Sequence, residues 1–400
     1  MRSGTVLIAG AGVAGPTLAY WLLRGGLKPT LVERAPEPRA GGYVIDFWGL
    51  GYEIAERMGL GDQLRAHGYD VKELRFLDAH GRRIGGFGAK VFKELAGGNY
   101  TSLPRSDLAR MIYELVKDRC EVRLGDGVAA LSPDDDGVDV RFDSGAHGRF
   151  DLVIGADGLH SAVRAQTFGP ERAFEKYLGY VVAAFQAEAY PRRDENVYVS
   201  YGMPGTQIAR LSLRDDRTLF LLVFAADDPS TADLRDRRDQ EAFIRRMIAD
   251  AGWERPQIVA AMEQSGDLYF DRVSQIRLGR WSQGRVGLVG DAAFAPSLLA
   301  GQGAALAMLA AYVLAGELVS GFDDPPAALR RYEARLRGFM VDKQRSAQRF
   351  ARGFAPRTPL GLWLRHQMMR TFSIPGMAKL AFGAGLLDRI QLPDFPALDR

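Results

Sequence analysis

Three short, unbroken apolar runs punctuate the chain, at Thr5–Ala9, Leu152–Ile154 (after Asp151) and Val286–Val289 (after Arg285). Runs of this length without alternation predict parallel strands buried on both faces. Each ends in small residues and leads into a helix. After the first, Pro16–Arg24 reads as a helix closed by Gly25-Gly26, and Pro29–Glu33 as the next strand. Between the second and third runs, roughly 175–272, the pattern changes. Asn196–Ser200 and Thr218–Phe224 read as antiparallel strands, and Val71–Gly86 holds another pair around Ala79-His80-Gly81. Beyond about residue 323 the chain reads as mostly helical, broken into short pieces by prolines at 356, 359, 375, 393 and 396. No repeat or low-complexity tract is visible.

Composition narrows the reading. A hydrophobic share of 47% supports a large core and excludes disorder. The 52 Lys+Arg and 49 Asp+Glu nearly cancel, to +3, and the arginine surplus reads as spread along the chain, which argues against a nucleic-acid binder. Cys120 stands alone, so no internal disulfide forms, and with five scattered histidines no metal site is expected. A reducing, cytoplasmic setting follows as the expectation. No apolar run reaches about 18 residues, so no membrane span is expected. The glycine spacing within Thr5–Leu23, and the charge-bearing strand after it, argue against a signal peptide.

Gly10-Ala11-Gly12-Val13-Ala14-Gly15 lies between the first strand and helix. In this setting Gly10 permits a tight turn, Gly12 leaves room for a pyrophosphate, and Gly15 lets helix pack on strand. The helix N-terminus offers bare N–H groups and a partial positive charge to phosphate. Glu33, eighteen residues past Gly15 at the end of the second strand, is placed to bind ribose hydroxyls. An acid there favours an unphosphorylated ribose, FAD or NAD. No other glycine pair has a strand-turn-helix setting, so two permanently held dinucleotides are disfavoured.

Gly287–Ala293 carries Gly290-Asp291, a carboxylate at a strand end that suits a polyol, although an Asp cap would look alike. Gly301-Gln302-Gly303 then opens the long apolar helix Ala304–Leu318, with a second bare N-terminus. The third constellation, Gly155–Arg164, holds Asp157-Gly158 and places Ser161 and Arg164 one turn apart. That spacing suggests a shared ligand, while a plain turn is the simpler alternative.

These three motifs in this order resemble the single-component, class A FAD-dependent aromatic hydroxylases with the para-hydroxybenzoate hydroxylase fold. The resemblance implies an α/β fold: a discontinuous Rossmann-like FAD-binding domain (1–70, 95–172, 273–322) interleaved with an antiparallel-sheet substrate domain (71–94, 173–272), plus a C-terminal helical segment (323–400). It implies that Gly10, Gly12, Val13, Ala14, Gly15, Glu33 and Arg34 hold the ADP part of FAD. Asp157, Gly158 and Arg164 would serve FAD and a transient NADPH or NADH. Gly290, Asp291, Pro296, Gly301, Gln302 and Gly303 would hold the ribityl chain, pyrophosphate and flavin, with Arg105 and Val128 as further FAD contacts. The segment Gly41–Gly49 resembles the Gly-Gly loop of the tetracycline-inactivating flavin monooxygenases, with Gly42 at the cofactor and Asp46 beneath the flavin. Asp267–Asp271, Trp281–Ala293 and Pro296–Leu318 resemble them too, as they do many polyketide hydroxylases.

The family chemistry is flavin-borne: NAD(P)H reduces FAD, O2 adds to give a C4a-hydroperoxide, and one oxygen passes to an aromatic or polyketide-like substrate. The flavin swings between reduction and oxygenation positions. Asp46 is the one candidate catalytic side chain. Candidate substrate residues are Asp46, Trp48, Gln186, Tyr201, Arg210, Phe220 and Phe224, each readable as ordinary core, while His160 reads as structural. A halogenase or reductase on the same fold, or a non-catalytic flavoprotein shielding an unstable intermediate, are the rival readings. Trp21, Trp48, Trp253, Trp281 and Trp363 form no Trp-x-Trp-x-x-Pro segment of the halogenase kind. A monomer or homodimer is expected.

Overall fold

The computed structural model of the protein describes residues 4–37, 43–88, 93, 98–191, 194–371 and 390–398. The three apolar runs meet in one six-stranded sheet. Its order is 282–283, Val286–Leu288, Leu152–Gly155, Thr5–Ala9, Lys28–Glu33, Glu121–Leu124, all parallel except the first pair. The central strand Thr5–Ala9 is paired on both sides, and Val6, Leu7 and Ile8 are fully buried. That is why its sequence shows no alternation. Helix Ala14–Arg24 packs on this sheet, and helix Gly303–Ser320 packs on that helix, Trp21 meeting Tyr312 edge to face in the main core.

Helix Gly303–Ser320 is eighteen residues long with mean hydropathy 1.7, so at its full length it meets the size of a membrane span. It is nonetheless 78% buried inside the protein, as the central helix of a core.

A second, seven-stranded sheet runs Leu268–Ile276, Glu175–Glu188, Arg217–Ala225, Thr206–Ser212, Val197–Met203, Glu73–Leu77, Arg83–Gly88. Its neighbours are antiparallel except Val197–Met203 with Glu73–Leu77. One face carries Phe185, Phe220, Leu222 and Phe224 under helices Arg237–Met247 and Arg255–Gln264. The other carries Val182 and Val223 in one cluster, and Leu211 and Leu219, against Tyr43 and Val44, in a second.

Two small sheets were not foreseen. Val44–Trp48 pairs antiparallel with Tyr100–Pro104, and Val128–Pro133, Val138–Phe142 and His147–Phe150 form a meander. The C-terminal part differs as well. Instead of short pieces it contains one thirty-residue helix, Pro325–Phe354, bounded by Pro325 at its start and Pro356 just past its end. Proline is tolerated in a first turn and stops a helix that runs into it from the N-terminal side.

Candidate functional site

At the end of strand Thr5–Ala9, Gly10 takes φ +108°, and a Cβ there would stand 2.5 Å from the Ala156 carbonyl oxygen. The Asp157-Gly158 turn therefore lies directly against the glycine turn. A Cβ on Gly15 would stand 1.9 Å from the Gly10 carbonyl oxygen, so this glycine admits the helix onto the turn rather than onto the strand. Gly12 is different: a Cβ there would meet only Arg105 Nη2, at 3.9 Å. The space above Gly12 is open and faces a cation. Val13 and Ala14 are buried at the helix start, which has no side-chain cap. Glu33 accepts from Ala11 N at 2.9 Å and Ala35 N at 3.0 Å, fixing the turn from the second strand. Beside it, Arg34 lies 3.5 Å from a Cβ on Gly127, next to Val128, whose carbonyl takes a bond from Gln166 Nε2.

Gly290, at φ +65°, brings the second turn onto the first: its Cβ would stand 3.1 Å from Ala14 Cβ. Asp291 then points toward Gly303, its Oδ1 3.8 Å from a Cβ placed there. Neither the Asp291 carboxylate nor the Arg105 guanidinium makes a hydrogen bond among the described residues. Burial pushes the Asp291 carboxyl up from its usual range, opposed by the Arg105 charge. Gln302 caps helix Gly303–Ser320 without a side-chain bond, leaving its N–H groups to face the same space. Gly301 sits at φ +66°, in the left-handed region. The loop between is locked by two buried amides. Gln275 Nε2 donates to Pro296 O (2.8 Å) and Gln344 O (2.7 Å), and Gln344 Nε2 donates to Ile276 O (2.7 Å) and Phe294 O (3.0 Å).

Across this space lies the two-stranded ribbon. Asp46 accepts from Tyr100 Oη at 2.7 Å and Ser102 Oγ at 2.6 Å, and burial raises its pKa against those two bonds. Trp48 stacks loosely on Tyr100, and both Asp46 and Trp48 line a small gap with Gln302 and Leu306. Tyr43 meets Tyr269 of the large sheet, ring centres 5.8 Å apart. Tyr198, whose pKa burial raises with a contribution from the Asp46 charge, adds a further phenol. Tyr43, Tyr100, Ser102, Tyr198 and Tyr269 were not singled out from sequence as site residues.

Several expectations need correction. Tyr201, Arg210, Phe220 and Phe224 sit on the helix-covered face of the large sheet, away from the glycine turns: Tyr201 pairs with Ile208, Arg210 with Phe220, and Phe220 stacks on Phe185. Arg210 instead lines an outer polar cavity of about 550 Å3 with Arg75, Trp253 and Glu254. Gln186, opposite Leu219, is on the face turned toward the ribbon, and its Oε1 accepts from Arg217. Ser161 and Arg164 do not converge on a ligand. Asp157 accepts from Ser161 Oγ, Ala162 N and Val163 N, while the fully buried Arg164 donates to Ala292 O, Leu159 O and Glu171. Arg164 thus ties the Asp-Gly turn to the Gly-Asp turn, and its side chain is fully buried rather than presented at the surface. Gly158 is at φ +81° with open space around it. Gly42 lies outside the described residues.

His160 bridges Glu171 (2.9 Å) and Asp271 (3.2 Å), whose hydrogen bonds raise its pKa to about 10. A raised histidine stabilises the fold fully below its unfolded value, about 6.5, and that contribution fades as pH rises through about 10. Its side chain is 56% exposed, so water screens the pair. His160→Gln is expected to lower stability by only about 1 kcal/mol at pH 6, and by nothing above pH 10.5, read from paired denaturant melts.

The open glycine cradle, the unbonded cation and carboxylate beside it, and a bare helix N-terminus define a flavoprotein oxidoreductase site, and these residues fit FAD. Residues 3–341 match the FAD binding domain family, and the chain belongs to that family. An uncharacterised protein of Mycobacterium tuberculosis is 38% identical over 348 residues, covering 85% of this chain and 91% of its own. A flavin-dependent monooxygenase from an unknown prokaryote is 31% identical over 397 residues, 98% of each chain. The crystal structure of the tetracycline destructase Tet(55) superposes with TM-score 0.82 at 29% identity, covering 98% of this chain and 99% of that one.

Asp291→Ala is expected to weaken FAD binding ten- to a hundredfold, the worth of one charge-assisted bond of about 1.5–3 kcal/mol. The FAD-free protein should move the other way. A carboxyl whose pKa rises on folding costs stability above its unfolded value and nothing below it, so its loss should raise the melting temperature at pH 7 and leave it unchanged at pH 3. Flavin titration and apoprotein melts check both.

Proposed function

We propose that this protein is a single-component monooxygenase that uses NAD(P)H and O2 to add one oxygen atom to an electron-rich aromatic or polyketide-like molecule. The balance is substrate–H + O2 + NAD(P)H + H+ giving substrate–OH + NAD(P)+ + H2O. The observation that carries this reading is the polar and aromatic cluster on the ribbon, Asp46 with Tyr100 and Ser102, near Tyr198 and Tyr269 of the large sheet, with Asp46 and Trp48 lining a small gap against Gln302 at the start of the Gly303 helix. Bound FAD supplies hydride acceptance and oxygen activation.

The chain's residues do the rest. Gly12 and Arg105 admit and neutralise a pyrophosphate, Asp291 holds the polyol, and the Gly303 end opposes negative charge nearby. Asp46, held by Tyr100 and Ser102, is placed to accept a proton from a substrate hydroxyl or to hold it in register. The tyrosines offer a flat, amphipathic lining suited to fused rings. With a single glycine cradle, NAD(P)H binds transiently.

The test is a screen of NAD(P)H consumption over phenols, polycyclic polyketides and tetracyclines, with product masses. Substrate-stimulated consumption with a gain of one oxygen is expected, and Asp46→Asn should raise KM for that substrate at least about fivefold. Retained FAD with no substrate-dependent consumption would instead mark a binding protein.

A further inference from the structure

We propose that the C-terminal helix Pro359–Thr371 docks this enzyme on anionic phospholipid bilayers. Among the described residues, the large apolar side chains that stand exposed are Phe350, Leu360, Trp363, Leu364 and Met368, all within nineteen positions of one another. Four of them, Leu360, Trp363, Leu364 and Met368, follow the i, i+3, i+4, i+8 spacing of a single helix face and are 44–67% exposed. The opposite face is already used. Arg365 reaches Gln207 and Phe354 O, Met369 is buried, and Arg370 donates to Ile84 O on the edge strand Arg83–Gly88. The helix is therefore fixed to the large sheet with an apolar stripe turned outward.

The charge around the stripe selects its occupant. The arginine surplus is not evenly spread, contrary to the sequence expectation: residues 343–371 hold Lys343 and six arginines with no Asp or Glu. Arg345 and Arg357 find acids from elsewhere, Asp342 and Asp227. Arg349 and Arg352, exposed on either side of Phe350, have no partner among the described residues. An apolar stripe within a segment that carries cations and no acids, two of those cations unpaired among the described residues, matches a surface that is negative outside and hydrocarbon beneath, with tryptophan at the boundary. A nucleic acid would leave the stripe in water. A second copy packed on the same face would set these cations against their own equivalents.

The experiment is co-sedimentation of the full-length holoenzyme with phosphatidylcholine vesicles, with and without phosphatidylglycerol. Binding is expected only with phosphatidylglycerol, and is expected to weaken as salt rises. Trp363→Ser with Leu364→Ser, and separately Arg349→Glu with Arg352→Glu, should each weaken it at least about tenfold while FAD content stays at the wild-type level. Absence of binding to either vesicle, or double variants that bind like wild type, would overturn the proposal. So would a dimer in gel filtration that the Trp363 variant dissociates, which would make the stripe a self-interface. Trp363 fluorescence that resists acrylamide in lipid-free protein would also overturn it, since the stripe would then be covered by the chain itself.

Discussion

Gly12→Val will yield a folded protein without flavin, whereas Gly15→Val will not yield a folded protein. The two glycines are three residues apart in one turn, yet their surroundings differ in kind. A side chain on Gly12 grows into open space, the nearest atom being Arg105 Nη2 at 3.9 Å, so the FAD-free fold accommodates it. That space is where the pyrophosphate needs close backbone approach. FAD affinity should fall at least about a hundredfold, or about 2.7 kcal/mol, with the apoprotein melting temperature unchanged. A side chain on Gly15 begins 1.9 Å from the Gly10 carbonyl oxygen. That atom is backbone, in a turn that is itself seated on Ala156, so it cannot yield cheaply. Overpacking here should cost more than about 3 kcal/mol. Flavin fluorescence on release and thermal melts separate the outcomes. If Gly12→Val kept its flavin, the cradle would lie elsewhere.

Replacing Arg164 by Met should destabilise the fold by about 3–5 kcal/mol, the range for breaking a buried ion pair from one side. Its guanidinium is fully buried and meets two carbonyls and Glu171. Burial pulls its pKa down while Glu171 and Asp157 push back. Methionine fills much of the volume but leaves the carbonyls of Leu159 and Ala292 and the Glu171 carboxylate without their donor. A residue that contacts NAD(P)H would show itself otherwise, by a higher KM for that substrate in a protein of normal stability. Urea melts and steady-state kinetics on the same variant distinguish the two, and an unchanged melt with a tenfold KM increase would restore the contact role.

The two turns that build the cradle were legible because their chemistry is local. A glycine that needs positive φ, or a Cβ-free approach, shows its requirement within a few residues of sequence, and three buried strands announce themselves by lacking alternation. Strand Arg217–Ala225 shows the opposite case. Both of its faces are apolar, Phe220, Leu222 and Phe224 on one and Leu219, Leu221 and Val223 on the other, so the pattern identified a strand without saying which face meets the ligand. The aromatics Phe220 and Phe224 lie on the face covered by helices Arg237–Met247 and Arg255–Gln264. The ribbon at Val44–Trp48 and Tyr100–Pro104 was illegible for another reason. Its strands pair across more than fifty residues of chain, and Tyr100–Pro104 is buried at all but its first position with no polar alternation to mark it as a strand. Asp157, Ser161 and Arg164 looked like a ligand site because polar residues one turn apart serve equally well as a cap.

The two-glutamine lock has a bearing on how the protein is made. It joins strand Leu268–Ile276, the Pro296 loop and helix Pro325–Phe354, so the hold of Gln275 on the loop before Gly301 and Gly303 is completed only when Gln344 adds its bonds to Ile276 O and Phe294 O. Gly10 emerges early from the ribosome, but the amide that completes the opposite wall follows 334 residues later (344 minus 10). At about 5–20 residues per second that interval is roughly 20–70 s. During it the nascent chain has the first strand and glycine turn but lacks the last amide that braces the opposite wall.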